Sequence, residues 1–573
     1  MGAFFLSNSQ SDSEHRKSAV TEVFEKLGFS HIVNLSTKHH TLFYCRKINV
    51  QEDSYYVLNE QNFCVITGTL IYKKLIGKAA AKRVFEDYHQ NKIDTDELYG
   101  NFAIVVCLNN DIQIHTDAQG VYNVWHDATL GMASSSFLAV ASVIKNPSIN
   151  KSAVYEYVFQ EATFGGDTVL NEVRRLEVSH GLSFGLKNSL TNSLLGAKIQ
   201  NDFVDIDTAL ECTSKALFKQ FDAITHCFSD NIDSALSGGY DSRLLLALCL
   251  EHDVTPHLHV YGSEKDADVV VAKGVCAGEN IELSHEDKSG FRTVLPEQFA
   301  TIVEQNFYAF QGICPDGILD NGSDLLTRQQ RTKSGRLLLN GGGGEVFRNF
   351  FYLPDKKYTA LNILWSFYSR FDPGVCTNEF DEVRYYQIFE NKVHTLLGID
   401  GGQLSRQQVE YLYAGFRCTY WMGLNNSINN QFGYFLTPFV EQLISDTALT
   451  VPIECKNHGF YQAKLINKIS PSLAGYMSDY GHNFSGGIPL KRRLKDWATL
   501  VRPTWLRKYM YRLKKQSRQN WPYYLNNDYL GYVLPNGWQF MSKFFVLEKV
   551  NDPSQFSRIV TLEYLFQKLN VKF

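Results

Sequence analysis

The apolar residues of this chain fall into two rhythms. Up to about Ile144 they come as short blocks: "FCVITGTLIY" (63–72) and "FAIVVCL" (102–108) are apolar at nearly every position, and "IQIHT" (112–116) follows the break "NND". Two such blocks flanking an Asn-rich break predict a β-hairpin, and the segment from Phe4 to Ile144 predicts a mostly antiparallel sheet. The pattern loosens between Lys151 and Asn201, which predicts a loop-rich bridge. Beyond it the period changes. Strand-like blocks at 233–236, 257–261 and 281–284 alternate with helically spaced runs at Ser242–Glu251 and Asp266–Ala277. That βαβαβ order implies a parallel sheet. After about Gly290 the reading is mainly helical and rich in aromatic residues. The expected division is therefore a first domain over 1–150, a linker over 151–205 and a second domain over 206–573.

The first turn of the parallel part is "LSGGYDS", Leu236 to Ser242. In an open parallel sheet, ligands bind outside the C-terminal strand ends, where the first βα turn offers free backbone N–H groups at a helix N-terminus. Gly238 and Gly239 let the backbone approach an anion, and the hydroxyls of Ser237 and Ser242 can donate to phosphate oxygens. Asp241 is the odd member. A carboxylate beside a phosphate repels it unless a divalent cation lies between, and no protein partner for Asp241 is evident in the sequence. The turn therefore reads as a grip for a magnesium-bridged polyphosphate, or else as a tight corner with Asp241 as a helix cap. It is not a Walker loop, because the Gly-Lys-Ser/Thr ending is absent.

"SGGYDS" resembles the SGGXDS pyrophosphate loop of the ATP-pyrophosphatases, and its surroundings resemble the asparagine synthetase family. "VYGSEKDADVVVAKGVCAGENIELSHED" is similar to that family's second strand and the turn after it, "RLLLNGGGGEVFRNFFYL" to its "SGEGSDEVFGGY" loop, and "YFLTPFVEQLISDTALTVPIECK" to its later helix. Residues 1 to about 150 resemble its class II glutaminase domain, most clearly at "LYGNFAIVV" and "TDAQGVYNVWH". The likeness spans nearly the whole chain in the family's order, and only the SGGXDS loop is specific by itself.

The resemblance implies an α/β fold: a degenerate Ntn-type antiparallel α+β N-terminal domain, then a parallel-sheet ATP-pyrophosphatase domain of the adenine nucleotide α-hydrolase-like kind with a helical C-terminal part. It implies an amide-forming ligase using ATP and Mg2+, which adenylates a small-molecule or peptide carboxylate, releases pyrophosphate and joins ammonia or an amine to it. Leu236, Ser237, Gly238, Gly239, Asp241 and Ser242 would hold pyrophosphate, Val260, Tyr261 and Gly262 the adenine, and Gly341, Gly342 and Gly343 the nucleotide's other side. Asp241 and Glu345 would be the metal ligands. Gly342 stands where asparagine synthetases carry a glutamate near the acceptor amine, so the substrates need not be aspartate and ammonia. "MSDYGHNFSGGIP" lacks the family's late lysine and places Gly481 and His482 there. His482 joins Glu345 as a candidate catalytic group, with Lys464 and Lys491 as further cations.

The glutaminase signature decays. The family's nucleophile is a cysteine at position 1, whereas Met1 is followed here by Gly2 and Ala3, and the nearest cysteine is Cys45. "ITGTLIY" offers Thr67 where an Asn is wanted, keeping Gly68, and the expected "GSD" reads "GKA" at Gly77 to Ala79. The layout is closest to glutaminase-dead relatives such as β-lactam synthetase and lasso-peptide cyclase. A cyclising synthetase, an amidating enzyme of a peptide or polysaccharide pathway, and a non-catalytic scaffold are the alternatives.

Composition narrows the partners. The 573 residues are 44% hydrophobic and 20% charged, with a net charge of −4 and 11 scattered cysteines. Such balance gives no global pull toward nucleic acid, and no segment approaches the length of a membrane span. Gly2 suits myristoylation, but Leu6 stands where Ser or Thr is wanted. Lone cysteines with neither metal spacing nor a disulfide framework point to reduced thiols and a cytoplasmic protein; a homodimer stays open. One segment departs from the balance. Lys491 to Arg518 holds eleven Lys/Arg against one Asp, interleaved with Trp497, Trp505, Tyr509 and Met510, and suggests peripheral contact with an acidic or membrane surface.

Overall fold

The computed structural model describes residues 2–8, 13–195, 202–287, 293–511 and 521–573. The predicted hairpin forms as strands Leu98–Leu108 and Asp111–Thr116, antiparallel, turning through Asn109 and Asn110. Both asparagines take positive φ, 53° and 73°, which Asn tolerates better than most residues. Two six-stranded antiparallel sheets result. One runs, in spatial order, Val173–Arg175, Trp125–Asp127, Met132–Ser134, Ala3–Asn8, His40–Cys45 and Ile32–Ser36. The other runs Ser189–Asn192, His180–Phe184, Asp111–Thr116, Leu98–Leu108, Asn62–Tyr72 and Tyr55–Asn59.

The continuous apolar runs are explained by burial on both faces. Phe63, Val65, Ala103 and Val105 face Phe4, Leu6, Leu42 and Tyr44 of the other sheet. Their neighbours Cys64, Ile66, Ile104 and Val106 face Ala80, Ala81, Val84 and Phe85 of helix Gly77–His89. On the far side Phe5, Phe43 and Cys45 join Val20, Val23 and Phe24 of helix Ser13–Lys26 in one core. The layering is helix, sheet, sheet, helix, that of the expected Ntn-type domain.

The bridge over 151–205 is a correction. It contains helix Lys151–Gln160, and its strands Val173–Arg175, His180–Phe184 and Ser189–Asn192 complete both sheets. These strands are short and partly exposed, so their alternation is faint in the sequence.

The second half holds a five-stranded, all-parallel sheet in the order Leu283–Glu286, His257–Tyr261, Ile232–Ala235, Leu337–Leu339 and Tyr434–Leu436. Helices Tyr240–Glu251 and Ala267–Glu279 make the expected crossovers. From Pro296 onward the chain is mainly helical, apart from the last two strands of that sheet and the short pair Tyr358–Thr359 and Gln403–Leu404.

The two halves join through buried polar contacts. Lys47 Nζ donates to the carbonyls of Asn430 (2.6 Å) and Gly433 (3.0 Å), and Thr69 Oγ1 accepts from Phe435 N at 3.0 Å. Among the described residues no helix is long and apolar enough to cross a membrane.

Candidate active site

The turn after strand Ile232–Ala235 lies where the sequence places it, at the C-terminal edge of the parallel sheet. Gly239 is the extended N-cap of the helix that begins at Tyr240. Ser237 and Ser242 are bound to each other: their hydroxyls lie 3.0 Å apart, and Ser237 N donates to Ser242 Oγ at 3.0 Å. Leu236 is buried and packs in the core below. Gly238 N donates to Asp268 Oδ1 at 2.7 Å, so the turn already receives a carboxylate oxygen from the first turn of helix Ala267–Glu279. Its close packing requires glycine, because a Cβ on Gly238 would stand 2.6 Å from Asp479 Cβ.

Asp241 has protein partners, contrary to expectation. Its Oδ2 accepts from Arg348 Nη2 at 2.7 Å and its Oδ1 from Gln462 Nε2 at 2.7 Å. The same guanidinium nitrogen lies 3.1 Å from Glu345 Oε1, and Tyr413 OH donates to Glu345 Oε2. Both proposed metal ligands thus converge, with Arg348 between them. The glycine loop makes this possible. A Cβ on Gly344 would stand 2.1 Å from Asp241 Oδ1, and one on Gly341 would crowd the Asp241 backbone at 3.3 Å. Gly343 takes φ +87° against Val440, and Gly342 lies against Met422.

Electrostatics at the cluster follow from two carboxylates sharing one cation in a half-buried place. Burial, reinforced by Glu345 and only partly offset by Arg348, pushes the Asp241 carboxyl up to about 6. Burial opposes the charge of Arg348, yet Asp241 and Glu345 together hold it above the usual guanidinium value. Burial is the larger cause for Asp241, and one guanidinium shared by two carboxylates leaves a negative charge that adds to it.

Several partners have no signal in the motif. Tyr413 and Met422 bound a π-helical stretch, Tyr413–Met422, that touches the glycine loop at both ends. π-helical segments are rare and often functional. Gln462 comes from helix Phe460–Ile469. Arg348 is the one that sequence could have nominated, since it follows Glu345 by three residues across the short 3-10 turn Gly344–Phe347.

The residues expected on the nucleotide side lie at the same sheet edge. Val260 is buried, Gly262 takes φ +134° and donates to Glu286 O at 3.2 Å, and Tyr261 lies under Arg331. Tyr261 also lines a cavity of about 180 Å³ with Arg328, Arg331, Asn340, Asn425 and Asn429, at the strand ends beside the glycine loop.

His482 is not part of this cluster. Its ring Nδ1 lies 3.4 Å from Tyr480 O, burial lowers its pKa, and among the described residues its hydrogen bonds involve neither Asp241 nor Glu345. It lines a separate cavity with Lys464 and Asn467. Tyr480 makes the connection instead, stacking 5.0 Å from Tyr240 at the start of the turn's helix. Lys491 lies on exposed helix surface.

No family profile matches the chain, and no curated protein matches it. Among solved structures, the glutamine phosphoribosylpyrophosphate amidotransferase from B. subtilis, complexed with ADP and GMP, is similar over 60% of this chain and 77% of its own. The identity is 8% and the TM-score 0.24, so the site is read from its own residues.

Proposed function

We propose that the chain is an ATP-dependent amide-forming ligase that adenylates a carboxylate and passes it to ammonia or an amine. The observation that carries this reading is the convergence of Asp241 and Glu345 on one nitrogen of Arg348, beside a Gly-Gly turn at the C-terminal edge of a parallel sheet. The residues fit Mg2+ and ATP. Gly238 N–H already holds an anionic oxygen, and the two carboxylates supply hard oxygen ligands.

Bound magnesium and ATP supply a polarised α-phosphorus with pyrophosphate as the leaving group. The turn's N–H groups and the Ser237 and Ser242 hydroxyls would stabilise the leaving charge, and Asp241 and Glu345 would hold the metal. Arg348 offsets part of the carboxylates' charge and orients them, and Tyr413 fixes Glu345. The cavity lined by Asp324, Arg328, Arg331 and three asparagines would take the substrate through the asparagines and the guanidinium N–H groups that Asp324, Asp233 and Glu286 leave over.

A second reading is a non-catalytic scaffold, favoured by one observation: Gly238 N–H and Asp241 are both satisfied by the protein itself. ATP–pyrophosphate exchange across a panel of amino acids, sugar acids and peptides separates the two. Exchange with any of them supports the ligase; a protein that does not bind Mg-ATP in calorimetry is the scaffold.

A further inference from the structure

Helices Leu490–Leu500 and Thr504–Met510 are turned inside out. The first grips the body with its charges: Asp496 is buried with an oxygen 2.8 Å from His458 Nδ1, and the Arg492 guanidinium sits 3.9 Å over the Tyr480 ring. Its apolar residues point the other way. Leu490, Leu494, Trp497 and Val501 recur at intervals of four, three and four, so they form one stripe, and they are 69%, 57%, 59% and 52% exposed. The second helix repeats the pattern. Arg507 donates to the carbonyls of Phe351, Tyr352 and Thr499, and Lys508 pairs with Glu382 at 2.6 Å, while Trp505, Leu506, Tyr509 and Met510 stay exposed. Arg507 and Lys508 therefore serve the fold and are not available for docking.

A surface helix normally buries its apolar stripe, so one facing outward along its whole length marks an interaction site. Charge decides what covers it. Lys491, Arg493 and Lys495 border the stripe on both sides, all exposed, and no carboxylate among the described residues pairs with them. A second copy would bring the same patch against itself and set these cations face to face. An anionic lipid surface offers both a hydrocarbon boundary for the leucines and tryptophan and phosphates for the cations. We propose that the outward face of these two helices docks the protein on an anionic bilayer. The docking helix reaches the turn of the candidate site from its inner side: Arg492 caps Tyr480, which stacks on Tyr240, and Tyr240 OH donates to the carbonyl of His458 at 3.3 Å.

The test is sedimentation of the full chain with phosphatidylcholine vesicles, with and without phosphatidylglycerol. Binding is expected only with the anionic lipid. Leu494→Ser with Trp497→Ser should weaken it at least about tenfold, since both side chains then keep out of the hydrocarbon boundary. Ser at Lys491, Arg493 and Lys495 together should weaken it on the order of 100-fold, at about fivefold per charge. All five side chains are exposed, so an unchanged melting temperature confirms that each variant is folded. Failure of the parent to bind phosphatidylglycerol vesicles, equal binding by either variant, or a lipid-free dimer that Trp497→Ser splits would overturn the proposal.

Discussion

Arg348 Nη2 lies 2.7 Å from Asp241 Oδ2, across 107 residues of sequence. The carboxylate that the Ser-Gly-Gly turn presents is thus held by a guanidinium carried on the glycine-rich loop that follows the neighbouring strand of the sheet, Leu337–Leu339. Two segments that carry separate motifs form a single electrostatic unit, with Glu345 as its third member.

Asp241→Asn should remove pyrophosphate exchange, by at least about 100-fold, because a neutral amide is a poor magnesium ligand and leaves the phosphates unscreened. The fold should survive, since the amide oxygen still accepts from Arg348 or Gln462. Exchange assays with melting curves on the same preparation check both halves; full activity in the variant would falsify the assignment of the turn.

Arg348→Ala should act on stability. It leaves Asp241 and Glu345 facing each other with no cation between them; the three side chains are 18–33% exposed, so the loss should fall below the about 3–5 kcal/mol of a fully buried pair. Combining it with Asp241→Asn should restore part of the loss, because the remaining charge is single. Urea unfolding of the two single variants and the double variant gives the coupling; additive losses would show that the three groups do not act as a unit.

The strand-turn-helix around Ser237 was legible because everything it needs is local: a buried strand, two glycines and a helical run within twenty residues. The hairpin at Asn109 was legible for the same reason. Gln462 and Tyr413 were not, since their roles arise from tertiary packing that no spacing records. The strands in 173–192 escaped because three to five residues with alternate positions exposed give too little periodicity. Counting charge in Lys491–Arg518 found the basic segment but not its geometry. Arg507 and Lys508 turn inward, and Arg512, Lys514, Lys515 and Arg518 lie outside the described residues.

Stability should fall as pH rises through neutrality. Asp117, Glu441 and Asp446 line one cavity of about 260 Å³ between the two halves. Burial pushes Asp117 and Asp446 up to about 7 and raises Glu441 in the same direction. A carboxyl whose folded value exceeds its unfolded one binds its proton better when folded, so its stabilising contribution is complete below about pH 4 and is lost as pH rises through about 7. Buried His115, lowered to about 4, has the opposite slope, but only below about pH 6.5. The window from pH 6.5 to 8 therefore reports the carboxyls. The melting temperature should drop across it, and Asp446→Asn should make the drop smaller; equal slopes in parent and variant would reject the cavity as its source.

The N-terminal sheets should not hydrolyse glutamine. Hydrolysis of the class II kind needs a thiolate that substrate can reach. The thiols of residues 2–195 belong to Cys45, Cys64 and Cys107, all 0% exposed. Cys45 sits inside a strand, its carbonyl accepting from Gly2 N at 2.8 Å, and burial pushes the Cys107 thiol up to about 12. None can act without unfolding the sheet that holds it. Thr67, standing where the family carries an Asn, is fully buried as well, beside Gly68 at φ +83°. In the proposed ligase the amine would then arrive from solution or on the substrate itself. Incubating the pure protein with glutamine and following glutamate should show no release above the uncatalysed rate. The ligase reaction should run with ammonium or a free amine and ignore added glutamine; steady glutamate formation by the full chain would mean that a nucleophile other than these three thiols is at work.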